Sequence, residues 1–297
     1  MSVAAVASPS RLWPIAMLLV AMCSIQSGAS LATLLFPMVG AAGATAIRLM
    51  IASALLLVIL RPWRKAVTRK AWKSIAIYGV ALGVMNLLFY QAIQTVPLGI
   101  AVALEFTGPL AVALLSSRRW LDLGWVALAI VGLVLLLLLG EETAAPIDPI
   151  GAAFALGAGV CWALYILFGQ KAGAGNGTQS AALGITIAAL CVAPIGLMEA
   201  GTALFSLDVL PLALAVAVLS TALPYTLEMA AMPKLPTHTF GTLMSLEPAV
   251  AAVSGLLFLG QSLGTLQWLA IGLVITASVG TTLTGKASDI IEAPVPD

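Results

Sequence analysis

Charge is scarce in this chain. Asp, Glu, Lys and Arg make up 8% of its 297 residues, against about a quarter in a soluble domain, so a water-facing globular surface is excluded. Histidine is down to one residue, His238. A lone histidine without Cys or His neighbours offers no Ser-His-Asp, Cys-His or HExxH arrangement, and no protein metal site is expected. The three cysteines, Cys23, Cys161 and Cys191, all fall inside apolar runs, which argues against a structural disulfide. Every aspartate lies in a loop, a run end or the C-terminal tail, so an intramembrane aspartyl-type protease would lack its pair. Long polar segments are missing too. The longest, near 62–72, 140–149 and 199–207, cannot hold a soluble domain. The net charge of +1 gives no basis for a nucleic-acid partner.

What remains is hydrophobic: 61% of the chain, with mean hydropathy +1.11. A bilayer-spanning helix needs about 20 mostly apolar residues. Such runs fall near 12–34, 43–61, 73–94, 97–116, 121–139, 150–170, 179–198, 208–231, 236–259 and 264–284. The pattern predicts an all-α membrane protein of ten transmembrane helices. The uncharged stretch from Pro248 to Gly285 must be divided, and Gly260-Gln261-Ser262-Leu263-Gly264 is its turn-like place. The first run is too long for a signal-peptide core, and no polar mature domain follows.

With the N-terminus in the cytoplasm, every Lys and Arg except Arg48 falls on the inner side, including the cluster Arg61, Arg64, Lys65, Arg69, Lys70 and Lys73. The outer loops hold Glu141, Glu142, Asp148, Glu199 and Asp208, without a base. The positive-inside rule is obeyed, and both termini are expected in the cytoplasm. The basic cluster reads as a topology anchor at the headgroups.

An internal repeat is visible. Pro97-Leu98-Gly99-Ile100-Ala101-Val102-Ala103-Leu104 matches Pro236-Thr237-His238-Thr239-Phe240-Gly241-Thr242-Leu243, 139 residues later, and Pro109 and Pro248 keep that spacing. The chain divides into a first five-helix repeat, 12–140, a second, 150–285, and a cytoplasmic tail, 286–297. Five is odd, so the halves must be inverted. Inverted repeats are a route to alternating access in secondary transporters, with the site at midplane between the repeats.

Four ionisable residues fall within the runs: Arg48, Glu105, Glu228 and Glu247. Charge at a helix centre costs about 2.5–3.5 kcal/mol on insertion scales, so it is rare without a role. Pro109, Pro224 and Pro248 lie near the acids and free backbone carbonyls there. Such breaks survive in a membrane only in packed protein or beside a wet cavity. A guanidinium binds a carboxylate through a two-pronged fork and a carboxylate accepts from an ammonium, so the set suits a zwitterion. Arg48 could equally form a structural pair with one glutamate. Three acids against one base leave two that must be protonated, hydrated or coupled to something mobile. The expected lining adds Gln26, Ser27, Tyr78, Asn86, Tyr90, Trp162, Tyr165 and Tyr225 to Arg48, Glu105, Glu228 and Glu247, from runs one, two, three, four, six, eight and nine. Small polar residues between membrane helices also serve packing alone.

Two signals carry no function. Gly280-Thr281-Thr282-Leu283-Thr284-Gly285-Lys286 lacks the Ser or Thr, the preceding strand and the following helix of a P-loop. Asn176-Gly177-Thr178 spells a glycosylation sequon on the expected cytoplasmic side.

Leu246-Glu247-Pro248, followed by Leu259-Gly260, resembles the EamA group of the drug/metabolite transporter superfamily. The strings Thr95-Val96-Pro97 through Leu104-Glu105-Phe106-Thr107-Gly108-Pro109-Leu110, Leu219-Ser220-Thr221-Ala222-Leu223-Pro224-Tyr225 through Glu228, and Thr239 through Pro248 resemble its bacterial threonine/homoserine and related amino-acid exporters. The likeness spans nearly the whole chain. It implies an inner-membrane secondary transporter exporting small neutral amino acids by alternating access through a central cavity, with methionine or aromatic acids within range, no bound cofactor and no catalysis. Its partners are then the amino acid and the lipid bilayer; the unpaired intramembrane acids make protons the candidate coupling ion, with a uniporter as the alternative. Two departures stand out. Gln261 occupies a place where the group usually has Glu, and Gly108, not Glu, precedes Pro109. The rival expectations are a carrier of cationic drugs or other metabolites, a membrane scaffold or receptor, and a membrane-embedded enzyme.

Overall fold

The computed structural model describes residues 9–64, 67–115, 120–138, 147–231 and 243–284. The first part of the second repeat string (236–242), the acids Glu141 and Glu142, and the tail 286–297 lie outside them. Among the described residues the secondary structure is entirely helical. The helices are α1 (Pro9–Ala32), α2 (Phe36–Leu60), α3 (Arg69–Ala92), α4 (Leu98–Glu105), α5 (Thr107–Leu115), α6 (Trp120–Leu138), α7 (Pro149–Ala200), α8 (Leu210–Ala217), α9 (Leu223–Ala231), α10 (Glu247–Leu259) and α11 (Thr265–Thr284). Among the described residues, five stretches are long and apolar enough to cross a membrane: Trp13–Arg64, Ala71–Ala92, Pro149–Gly169, Gln179–Phe205 and Leu210–Glu228. Shorter apolar helices cover Leu98–Val112, Gly124–Leu135, Glu247–Leu259 and Thr265–Gly280.

Breaks in these helices follow from the residues. Gly40, with φ 69 and ψ 174, interrupts α2 just after the 3-10 turn Thr33–Leu35. Only glycine adopts that backbone at no steric cost. Between α4 and α5, Pro109 has no N–H to return to Glu105, and the chain kinks at Phe106. Pro224 likewise cannot donate to the Ser220 carbonyl. The helix there widens into a π turn, Val218–Ala222, closed by the Leu223 N–H on the Val218 carbonyl. Gly260, at φ 65, caps α10, and α11 begins at Thr265. The turn expected at 260–264 is where the structure has it.

Within its 52 residues α7 folds back on itself. Ser180 Oγ donates to the carbonyl of Ala172 at 2.7 Å, eight residues earlier, where a straight helix would rise about 12 Å. The Tyr78 ring packs against both Gly169 and Gly184. Along the first arm, Gly151 meets Thr95 and Val96, Gly157 meets Leu88 and Gly169 meets Tyr78, so this arm runs antiparallel to α3. In the second arm, Gly79 meets Gly184 and Gly83 meets Ala188, a parallel relation. The reversal falls between Ala172 and Ser180.

Backbones approach closely because the interfaces are built from small residues, as is usual between membrane helices. Alanines dominate the largest core cluster, which joins α1, α2, α3, α4, α7, α8, α10 and α11. Gly28 packs directly on the backbone of the π turn at Ser220, and Ser24 Oγ donates to the Leu219 carbonyl at 2.6 Å. α1 therefore meets the π turn, and α2 packs on it as well.

Candidate functional site

The site is organised around Arg48, 4% exposed on the α2 segment that begins after Gly40. Its Nη1 donates to Ser220 Oγ at 3.1 Å, and its Nη2 donates to Asn86 Oδ1. Both acceptors are held in turn. Asn86 Nδ2 donates to the Leu82 carbonyl at 2.8 Å, and Ser220 Oγ donates to the Val216 carbonyl at 2.7 Å. Tyr90, one turn beyond Asn86, lays its ring under the guanidinium with Cζ 4.5 Å from the ring centroid. That contact is a cation–π interaction of a desolvated cation. Arg48 Nε has no partner. Among the described residues, no carboxylate forms an ion pair with Arg48. The structural Arg48–Glu pair weighed from the sequence is absent, and neutral groups hold the guanidinium instead.

A second group is aromatic. The Tyr78 and Tyr165 rings sit 5.0 Å apart at 33°, and Tyr225 packs against the same cluster. Glu228, one turn after Tyr225 on α9, lies close enough for its charge to act on all three tyrosines. The third group surrounds the kink after α4. Glu105 is the last residue of α4 and is buried. Phe106 meets Trp162 edge-on, with centroids 5.6 Å apart. Gly159 of α7 lies against the Glu105 carbonyl, and Gly108 against Gly159, so no side chain could replace either glycine without displacing backbone. Glu247, also buried, is the first residue of α10.

Electrostatics links the groups into one region. Arg48 acts on Glu105 and Tyr225, Glu105 on Tyr225 and Glu247, and Glu228 on Glu247. Among the described residues, none of the three glutamates makes a hydrogen bond or ion pair. Of the expected residues, Arg48, Asn86 and Tyr90 are in direct contact. Tyr78, Tyr165, Tyr225, Glu228, Glu105, Trp162 and Glu247 join them through ring packing or charge. Gln26 is buried with its Oε1 unpartnered, and Ser27 is half-buried. Among the described residues no hydrogen bond joins either to the cluster, although α1 presents Ser24 and Gly28 to the π turn that holds Ser220.

Ser220 was not among the residues expected in the site. Its signal was Pro224, four residues on, which frees the Ser220 carbonyl and widens the helix so that the hydroxyl reaches Arg48. An apolar cavity of about 260 Å³, lined by Leu57, Pro62, Trp63, Val67, Trp72 and Leu183, stands at the basic end of the molecule, away from the acids.

A fixed buried cation and three acids without a hydrogen-bond partner among the described residues, Glu105 and Glu247 buried and Glu228 half-buried, stand among tyrosines and a tryptophan in an arrangement suited to binding. Comparison with known proteins agrees. Residues 149–283 match the model of the EamA-like transporter family. Relatives include the threonine/homoserine exporter RhtA of Escherichia coli (strain K12), 59% identical over 94% of both chains. The chain belongs to this family. RhtA of Salmonella typhimurium (strain SL1344) is also 59% identical, over 91% of this chain and 92% of its own. The uncharacterized transporter YwfM of Bacillus subtilis (strain 168) is 26% identical over 77% of this chain and 80% of its own. A crystal structure of a protein 20% identical aligns with a TM-score of 0.58 over 91% of this chain and 97% of that one. That likeness bears on the fold alone. The EamA-family relatives carry the names of transporters, not of enzymes.

Proposed function

We propose that this EamA-family protein exports small neutral amino acids of the threonine and homoserine type across the bacterial inner membrane, as a secondary transporter working by alternating access. The observation that carries the reading is Arg48: a guanidinium fixed by neutral partners, with Nε unengaged, facing a region with three unpartnered acids. A zwitterion supplies the missing complement, its carboxylate to Arg48 and its ammonium to a glutamate. A cationic drug would meet a buried like charge at Arg48, which disfavours the rival cargo. The names of the RhtA relatives point the same way.

The architecture belongs to the same proposal. Ten membrane helices form two inverted five-helix repeats, 12–140 and 150–285, with both termini cytoplasmic. The fold-back in α7, the kink at Gly40 and the four shorter apolar helices support this count. In the site, Arg48 takes the carboxylate and Glu105, Glu228 and Glu247 share the ammonium and the coupling proton. Tyr78, Asn86, Tyr90, Trp162, Tyr165, Tyr225, Gln26 and Ser27 orient or wall the cargo.

Counterflow of labelled amino acids into proteoliposomes, run over the common twenty plus homoserine, tests the reading. Threonine and homoserine are expected to exchange. A protein that moves none of them, or moves apolar cations instead, refutes it.

A further inference from the structure

At one end of the molecule, the two proposed halves are joined by side chains that accept hydrogen bonds from the first turns of helices. Glu199, at the C-terminal end of α7, accepts from the Ala42 N–H through Oε2 at 2.9 Å. The carboxylate occupies the space where a Cβ would stand at Gly40, whose left-handed backbone makes the opening. Gln261, in the turn after α10, accepts from the Leu98 N–H through Oε1 at 2.9 Å, at the start of α4. The Gln261 N–H is itself fixed on the Gly255 carbonyl at 3.1 Å. Each acceptor comes from the second half and each donor from the first.

Both locks lie at the same end. α3 runs parallel to the second arm of α7, which brings residues 95–98 level with Glu199. This is the end away from the basic residues 61–73, hence the outer face by the charge rule. A third crossing, Thr95 Oγ1 to Asp148 Oδ2 at 2.8 Å, is exposed to solvent. The Glu199 and Gln261 bonds are part-buried, where water competes less. Nearby, Gly43 and Gly196 let α2 and α7 meet backbone to backbone.

We infer that Glu199 and Gln261 are the outer gate of the transporter: positioning residues that hold the halves together while the site is closed to the outside, and whose two bonds break when cargo is released. A part-buried side-chain to N–H bond fits that task. It is strong enough to bias two states and can be replaced by water once the faces part. This inference rests on the alternating-access reading, and its test separates the two.

The experiment uses the full-length protein in lipid nanodiscs, with Cys23, Cys161 and Cys191 replaced by serine. Spin labels go on Met38→Cys, before Gly40, and Leu207→Cys, beyond Glu199; both native side chains are exposed. Electron–electron distance distributions are recorded for unaltered, Glu199→Ala, Gln261→Ala, doubly altered and Glu199→Gln proteins. Each alanine change is expected to raise the ratio of long to short distances about tenfold, the scale of one such bond. Glu199→Gln, which keeps an acceptor oxygen, is expected to stay near the unaltered distribution. In proteoliposomes the alanine variants are expected to raise KM for internal threonine without an equal loss of maximal flux, a split that mere destabilisation would not produce. A folded Gln261→Ala or Glu199→Ala protein with unchanged distances overturns the gate; if one fails to fold, the other decides. Absence of amino-acid flux in the unaltered protein overturns the transport reading instead, and leaves the distances interpretable.

Discussion

The polar residues at the end that holds Asp148, Glu199 and Gln261, the outer end in the proposed topology, and those around Arg48 in the middle are treated in opposite ways. At the outer end, Asp148 accepts from Thr95 Oγ1 and from the N–H groups of Ile150 and Gly151, Glu199 accepts from Ala42 and Gln261 accepts from Leu98, all at 2.8–3.1 Å. In the middle, Glu105, Glu228 and Glu247 make no hydrogen bond or ion pair among the described residues, and the one cation is held by neutral groups with a nitrogen to spare. Buried polar groups are normally satisfied, and each exception asks for a reason. The contrast separates side chains that hold helices together from side chains kept open for something that comes and goes.

The largest expected effect lies with the unpartnered acids. If they carry the coupling proton, Glu→Gln at Glu228 or Glu247 abolishes concentrative export while downhill exchange continues. One charge moved through the membrane potential supplies about 2.3 kcal/mol per 100 mV, enough for more than tenfold accumulation. Efflux measured with and without an imposed pH gradient is the check. Equal steady-state distributions of the unaltered protein in both conditions would remove proton coupling and leave the glutamates as ligands only.

Arg48 comes next. Lysine keeps the charge but cannot bond Ser220 and Asn86 at once while offering a planar fork to a carboxylate. Hydrogen bonds to charged groups are worth about 1.5–3 kcal/mol, so Arg48→Lys is expected to raise KM roughly tenfold or more with the fold retained. Unchanged flux in a well-folded Arg48→Ala protein would exclude both a cargo role and a structural one.

Ser220 refines the contrast, since it belongs to the middle yet is fully bonded. Ser220→Ala removes one neutral acceptor from Arg48 and is expected to raise KM about fivefold, in line with about 1 kcal/mol for such a bond. The Val216 carbonyl loses the serine's donation as well. If thermal stability falls while KM stays fixed, Ser220 braces the π turn and does not aim the guanidinium.

Much of this was legible beforehand, and the unread part has a common cause. Length and apolarity mark the helical runs, and Gly260, Pro109 and Pro224 mark where regular helix must fail, because backbone conformation and missing donors are properties of single residues. The mid-run charges stood out because the surrounding sequence is uncharged. Contacts between distant segments left no such mark. Nothing near Glu199 announces Ala42 as its donor, 157 residues away. The partners of Arg48 were hidden the same way: Asn86 and Tyr90 were expected in the same site, but Ser220 depends on a π turn that only packing against Gly28 makes visible. The fold-back within α7 falls in a run rich in small residues, Lys171-Ala172-Gly173-Ala174-Gly175-Asn176-Gly177, where composition indicates a loop.

The smallest effect is expected at Asp148, and it tests whether the outer-end set is structural. The Thr95 hydroxyl, with the Ile150 and then the Gly151 N–H groups, holds its carboxyl below the usual aspartate range. These donors favour the charged form at the N-terminus of α7, as an N-cap aspartate should. A depressed folded-state value means that the native protein binds fewer protons than the unfolded chain near pH 4. The stabilisation is therefore complete above the unfolded value and is lost as pH falls through the lower folded one. The side chain is partly exposed to solvent, so water and salt weaken the effect. Asp148→Asn is expected to lower the melting temperature slightly at neutral pH, and the gap from the unaltered protein should close as the pH drops below about 4. Melting curves at a series of pH values and two salt concentrations read this directly. A gap that persists at low pH would assign the effect to hydrogen-bond geometry, not charge. A loss of transport as large as that of the glutamate variants would move Asp148 out of the structural set altogether.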